Sequence, residues 1–177
     1  MQFAKDSFYM ALRERLASLN PQRTVTLNGA TRPAVIVAEN ELVIPVEPLP
    51  DAFYIEWAAA RAVDNHSGSR ALMSVDCVIS HHTVGTVESG VDRGRTLAAL
   101  DMELTGICQP ARTSKRDFTR TPSLDLGTNI FWTVPQLGAV TGSDGPRDEV
   151  LPGKSQSIRL ERRALLKVFF FIEVNTI

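Results

Sequence analysis

The sequence predicts an α+β domain, in which one mainly antiparallel sheet has two helices packed on it. Three observations favour this class. Two segments carry apolar residues at helical spacing, several others alternate apolar and polar residues as strands do, and their order lacks the β-α-β alternation of a nucleotide-binding fold. At 177 residues the chain is long enough to bury the core of a single domain.

Composition narrows the classes of function. The net charge is -1 at pH 7, which gives no sign of a polyanion-binding surface. No apolar run approaches the roughly 20 residues of a membrane span, and the first residues lack the apolar core of a signal peptide. Two cysteines are too few for a disulfide framework, so a reducing compartment is expected; whether Cys77 and Cys108 pair stays open.

The first element is a predicted helix, and Asn20-Pro21 stops it. Asp6 or Ser7 is expected to cap its start. Its apolar residues recur at helical spacing and form one stripe: Phe8, Leu12, Leu16 and Leu19.

Two hairpins are predicted next. Asn28-Gly29 is a strong turn signal, and segments 24–27 and 34–37 are the strands expected beside it. A proline-rich stretch at 45–50 then predicts a stiff, non-helical connector. Residues 52–82 predict a long hairpin, because apolar and polar residues alternate on both sides of the turn-like sequence DNHSGS. The alanine-rich run 58–62 also fits a helix, although the strand is favoured.

Residues 89–110 predict the second helix. Ser89 and Asp92 have capping-box spacing, and Pro110 ends the segment. Arg93 and Arg95 place positive charge at the positive end of the helix dipole, a local conflict that marks a candidate functional position. They are either solvated or paired with acidic groups of a neighbouring subunit. The apolar stripe of this helix consists of Leu97, Leu100, Leu104 and Ile107.

Residues 111–157 predict a long irregular excursion, because prolines, glycines and hydroxyl residues are spread through them. The segment 129–134 is the one good strand candidate there. Excursions of this length are usually binding loops or disordered segments.

The chain closes with its strongest predicted strand, 158–174. One face is apolar and is expected to be core: Leu160, Ala164, Leu166, Val168, Phe170, Ile172 and Val174. The other face mixes apolar and charged side chains: Arg163, Leu165, Lys167, Phe169, Phe171 and Glu173. We expect this second face to be half buried, either under a helix of the same chain or against a neighbouring subunit.

No motif for catalysis, metal binding or cofactor binding stands out. His81 and His82 are adjacent on a strand, so they point to opposite faces and cannot chelate one metal. A zinc site of Cys77, His81 and Cys108 would lack a fourth ligand. The sequence GVDRG lacks the lysine and the glycine spacing of a phosphate-binding loop. We therefore expect neither an enzyme nor a cofactor or metal.

Five local strings carry a resemblance to a known family: DSFYMALRERL, SVDCVISHHTVG, VDRGRTLAALDMEL, GTNIFWTVP and RALLKVFFFIEV. With their order along the chain, they resemble tail terminator and neck proteins of tailed bacteriophages and of related phage-like contractile devices. The resemblance implies a structural virion protein of the tail or neck, assembled in the host cytoplasm without a membrane. It implies a hexameric ring that caps the tail tube and joins it to the head-proximal connector.

The partners implied are copies of the same chain and the tail tube and connector proteins. DNA passing through the ring lumen is a conditional further partner, because a few arginines in each copy could line a channel. The expected subunit-interface residues are Arg93, Arg95, Arg163, Leu165, Lys167, Phe169 and Phe171. Three alternatives stay open: a head–tail connector or head-completion protein of the same particle, a small enzyme, and a binding module.

Overall fold

The computed structural model describes residues 1–41, 48–64, 71–84, 90–143 and 159–172. Its elements follow the order α1 (Gln2–Leu19), β1 (Thr24–Leu27), β2 (Ala30–Pro33), β3 (Val35–Val37), α2 (Ala38–Glu41), β4 (Phe53–Asp64), β5 (Leu72–Val84), α3 (Gly90–Ile107), β6 (Arg112–Asp117), β7 (Leu124–Trp132), β8 (Gln136–Leu137), β9 (Thr141–Ser143) and β10 (Arg159–Phe171). Within these ranges, none of the helices is long and apolar enough to cross a membrane.

One curled, mostly antiparallel sheet of eight strands organises the molecule, in the order β3-β4-β5-β10-β7-β6. β10 lies at its centre. One edge of β10 pairs with β5 along the whole of Arg159–Phe171, and the other edge pairs in turn with β9, β8 and β7. The long helices α1 and α3 pack on the inner face of the sheet, and β1 with β2 forms a separate small hairpin. The α+β prediction is confirmed.

The core lies between the two helices and the inner face of the sheet. The Phe8 ring of α1 meets Trp57 and Trp132 edge-on, with centroid distances of 5.7 Å and 5.2 Å. Such edge-to-face pairs add to the stabilisation that area burial already gives. The predicted apolar stripes supply most of the helical share of this core: Phe8, Leu12, Leu16, Leu97, Leu100, Leu104 and Ile107.

The start of α1 differs from the prediction. The helix begins at Gln2, so Asp6 and Ser7 are not its cap. Ser7 lies inside the helix, where its hydroxyl donates to the Phe3 carbonyl oxygen and accepts the amide of Arg116 at 2.9 Å. The helix ends at Leu19 as predicted, but the Leu19 side chain is 54% exposed and lies outside the core.

The first hairpin has the predicted turn but a different second strand. Asn28 and Gly29 both have positive φ, 50° and 79°, as a two-residue hairpin turn requires. Such a turn pairs the residues that flank it directly, so Leu27 pairs with Ala30 and β2 is Ala30–Pro33. The prediction that residues 34–37 form the second strand of this hairpin is therefore wrong. Val35–Val37 instead enters the main sheet, parallel to β4. The connector residues 42–47 lie outside the described residues.

The long hairpin is confirmed as β4 and β5, and its turn at 65–70 lies outside the described residues. The alanine-rich run is strand, with register shifts between Trp57 and Ala60 and between Ala62 and Asp64. β3 pairs only with Phe53, Tyr54 and Ile55, so the rest of the outer edge of β4 has no neighbour among the described strands.

The expectation of an irregular excursion is wrong for residues 111–143. β6 and β7 form an antiparallel pair at the edge of the main sheet, and β8 and β9 pair with β10. β6 was hidden by its polar sequence, RTSKRD, although Lys115 and Asp117 are buried. The Lys115 ammonium donates to the Phe171 carbonyl oxygen at 2.5 Å, which ties β6 to the end of β10. The predicted strand 129–134 overlaps the end of β7 and continues two residues past it. Residues 144–157 lie outside the described ranges.

Candidate functional site

The surface of interest is the side of the sheet opposite the helices, which we call the outer face. Because strand side chains alternate between faces, it consists of the residues that lie between the core positions. Residues Ala164, Leu166, Val168 and Phe170 of β10 are buried on the inner face. Within the described residues the outer face includes Tyr54, Glu56, Arg61, Leu72, Ser74, Asp76, Val78, Ser80, His82, Phe131, Glu161, Arg163, Leu165, Lys167, Phe169 and Phe171. Three of these residues, Tyr54, Ser74 and His82, are buried.

Neither of the two long helices covers the outer face, because α1 and α3 both pack against the inner one. The interpretation in which a helix of the same chain covers it therefore has no support from the described part of the chain. The predicted residues of β10 are brought together here: Arg163, Leu165, Lys167, Phe169 and Phe171.

Aromatic and aliphatic groups make much of this face apolar. The Phe131 and Phe169 rings stack with centroids 5.1 Å apart and planes inclined by 8°. Leu165 is 43% exposed, and Phe131 and Phe171 are each 37% exposed. Contiguous exposed apolar groups on a soluble domain usually mark an interaction surface. The sequence pattern missed Phe131, because its register opposite Phe169 follows from the pairing of β7 with β10.

The central charged residues of the outer face form ion pairs. Asp76 accepts a hydrogen bond from the Lys167 ammonium at 2.8 Å and forms an ion pair with Arg61. The hydrogen bond from Lys167, reinforced by Arg61, lowers the pKa of Asp76. Arg163 is exposed and pairs with Glu161 at 3.5 Å. A partner that covers Lys167 and Asp76 therefore meets a paired group rather than an isolated charge.

The two arginines of α3 point to different sides of the helix. Arg93 is one turn before the buried Leu97 and is itself partly buried, whereas Arg95 is exposed. The helical angle between adjacent residues is about 100°, which places Arg95 with the solvent-facing residues of α3. Arg93 and Arg95 therefore do not form a paired site, nor does either lie on the outer face. The predicted cap Ser89 lies outside the described residues.

A polar cluster that the sequence did not reveal joins α3 to the sheet. Asp101 contacts His81 Nε2 at 2.8 Å and Arg162 Nε at 3.2 Å, so three elements meet at one carboxylate. Burial lowers the pKa of His81, although Asp101 opposes the shift. Because the His81 side chain is 0% exposed, no substrate can reach the ring, and the cluster acts as a structural tie.

A second tie uses another carboxylate of α3, that of Glu103. Glu103 accepts hydrogen bonds from Arg23 and Asn20, at 2.9 Å and 2.7 Å, and so holds α3 to the end of α1. Burial raises the pKa of Glu103, but the bonds from Arg23 and Asn20 outweigh it and lower the pKa overall. Asp101 and Glu103 thus diverge, as expected for residues two apart on a helix.

Reactive groups are not gathered into a site in the part of the chain that the structure describes. No set of three or more His, Cys, Asp or Glu residues is arranged to hold a metal ion among the described residues. Cys77 and Cys108 are buried free thiols. Burial raises the pKa of Cys108 to about 12 and that of Cys77 well above its usual value, so neither is a ready nucleophile.

One cleft of the described structure has polar side chains, but its arginine is already bonded. A cleft of about 250 Å³ between α1 and β6 includes Glu14, Thr113 and Arg116. The Arg116 guanidinium is already bonded to the Ser123 hydroxyl and carbonyl. A scan against models of known protein families and a search of curated proteins both give no match. Fold and surface together define an α+β domain whose sheet has exposed apolar residues on the side opposite the two long helices.

Proposed function

We propose that this chain is a structural subunit that assembles with copies of itself into a ring. The observation that carries this proposal is the outer face, where Leu165, Phe131 and Phe171 are exposed. They lie on the same face as Lys167, whose charge is paired with Asp76. A surface of this kind is costly to leave in water, since apolar area gains roughly 25 cal/mol per Å² when it is covered.

The mechanism is shape and charge complementarity, without a chemical step. In a closed ring, one surface of each subunit meets a different surface of the next subunit. The outer face supplies one of these two surfaces. Its side chains project from β10 and from strands bonded to it, so the surface is preformed and little ordering entropy is lost on assembly.

We assign the ring to the tail terminator position of a phage-like particle, where six copies would cap the tail tube and join it to the head-proximal connector. The support is the family resemblance of the sequence, together with the observed order of helix, long hairpin, crossing helix and long final strand. The connector or head-completion position uses the same kind of ring. Electron micrographs of the protein mixed with tail tubes distinguish the two, because a terminator binds tube ends.

The self-association is tested with two leucines of equal exposure. Leu165 on the outer face is 43% exposed, and Leu124 at the start of β7 is 44% exposed. Leu165→Asp is expected to weaken the ring at least about tenfold, because it buries a carboxylate without a partner. Leu124→Asp is expected to leave the ring intact. Native mass spectrometry over a concentration series measures both, and equal ring stability in the two variants would contradict the proposal.

Substitutions of Arg93 and Phe169 give a second comparison by native mass spectrometry. Arg93→Glu and Phe169→Asp are both expected to weaken the ring and to leave the monomer folded, the second because its ring stacks on Phe131 in the outer face. An unchanged hexamer for both variants removes the outer face and the start of α3 from the interface.

A further inference from the structure

The solvent side of α3 is apolar where an exposed helix face is normally polar. Four residues there recur at helical spacing, and we call them the α3 stripe: Val91, Arg95, Ala98 and Met102. Val91 is 58% exposed and Met102 is 76% exposed. The arginine is the one charge in the stripe, and Arg95 makes no hydrogen bond or ion pair with the described residues.

The end of the α3 stripe opens into a shallow apolar cleft. Leu19 of α1, which is 54% exposed, lies beside Met102 and Ala99 and forms its wall. The cleft has a volume of about 370 Å³. A leucine or phenylalanine side chain fits such a space. The Arg95 guanidinium and this apolar cleft therefore lie on the same side of α3.

The outer face has an acidic residue and an exposed apolar residue that complement Arg95 and the apolar cleft. Glu56 is exposed and has no hydrogen bond or ion pair within the described residues. The strand register places Glu56 beside Val78, and Val78 beside Leu165, so that an unpaired acid and an exposed apolar residue share one row across β4, β5 and β10. The two free charges of opposite sign thus lie on opposite sides of the subunit, each in an apolar surrounding.

The spacings of the two pairs agree. Arg95 and Met102 are seven residues apart on α3, which is about 10 Å along a helix at 1.5 Å per residue. Glu56 and Leu165 are separated by two strand spacings, which is also about 10 Å. When Leu165 enters the cleft beside Met102, Arg95 therefore reaches Glu56 with the helix lying across the strands.

We infer that the α3 stripe of one copy docks on the outer face of a second copy, with Arg95 paired to Glu56 and Leu165 seated beside Met102. This inference rests on the proposed self-assembly and names its second surface. Because stripe and outer face lie on opposite sides of the helix and sheet layers, the contact is head-to-tail and each copy can bind two neighbours.

Charge reversal tests the pairing directly. Arg95→Glu and Glu56→Arg each place like charges together, so each is expected to raise the concentration at which the ring dissociates about tenfold or more. The double variant restores the opposite charges and is expected to return the ring to within about threefold of the original. The control combines Glu56→Arg with Arg120→Glu, an exposed arginine of the β6–β7 turn, and is expected to give no rescue.

Native mass spectrometry of the full chain separates the outcomes. Rescue by the Arg95 reversal alone supports the pairing. A wild-type ring with no rescue in the double variant overturns this inference and leaves the proposed function standing. A wild-type chain that stays monomeric at hundreds of micromolar overturns both. Circular dichroism of each variant verifies that the exposed substitutions leave the fold unchanged.

Discussion

Leu165 and Leu166 are neighbours on β10 with opposite environments. Both pair with β5, Leu165 opposite Val78 and Leu166 opposite Cys77. Leu166 is 1% exposed beneath the helices, and Leu165 is 43% exposed on the outer face. Both residues are leucines and both pair with β5, so their exposures differ because the helices cover the inner face and not the outer one. The inner face of the strand is covered by helices of the same chain, whereas Leu165 on the outer face stays partly exposed.

Two carboxylates show the same contrast in solvent access between the inner and outer faces. Asp101 and Asp76 each contact two cationic or ionisable groups, and their side chains are 14% and 17% exposed. The partners differ, since His81 is 0% exposed on the inner side whereas Arg61 is 56% exposed on the outer side. Water can replace Asp76 as a partner of Arg61, but it cannot replace Asp101 as a partner of His81.

The largest expected effect separates the two leucines. Leu166→Ala is expected to lower the free energy of unfolding by about 2–5 kcal/mol, because it leaves a cavity in the core. Leu165→Ala is expected to change it by about 0.5 kcal/mol or less in dilute solution. Urea denaturation of both variants below the assembly concentration measures the difference. Similar losses would mean that the outer face is covered within one chain.

A smaller effect separates the two carboxylates. Asp101→Ala is expected to cost about 1–3 kcal/mol of stability, because His81 and Arg162 lose a buried partner. Asp76→Ala is expected to cost about 0.2–1 kcal/mol, as exposed ion pairs do. The same denaturation assay applies. Equal costs would contradict the difference in solvent access between the two sides of the sheet.

The smallest expected effect is a pH dependence from His81. Burial lowers its pKa in the folded state, although Asp101 and Glu161 oppose the shift; Arg162 acts with burial, and the Phe53 ring is uncharged. The unfolded state therefore binds more protons below about pH 6.5, and stability falls as the pH falls from there. His81→Gln is expected to flatten the change in unfolding free energy between about pH 7 and about pH 5. An unaltered slope would assign it to other groups.

Local patterns in the sequence were enough to predict the elements in which apolar residues recur at a single clear spacing. The helical stripes of α1 and α3, the long hairpin and the inner face of β10 follow from apolar spacing, with two exceptions. Leu19 and Ile172 were expected in the core but are 54% and 42% exposed, and Ile172 lies beyond the end of β10. The opposite directions of Arg93 and Arg95 also follow from spacing, since Arg93 is four residues before buried Leu97 and Arg95 is seven before exposed Met102.

Other features needed tertiary information. β6 was missed because its buried residues are Lys115 and Asp117, whose polarity hides the alternation. The route of Val35–Val37 depends on the open edge of β4, which lies 18 residues away in the register of Val35 with Phe53. The contact of His81 with Asp101 and Arg162 depends on how α3 crosses the sheet. None of these has a local sequence period.

The edge of β4 beyond Ile55, which has no neighbour among the described strands, has a consequence for aggregation. An unpaired strand edge is a template for adventitious pairing with other chains, which leads to open fibrils and not to closed assemblies. Two register shifts, at Trp57/Ala60 and Ala62/Asp64, break the flatness of this edge, and Arg61 adds a charge. These irregularities make the edge a poorer template for such pairing.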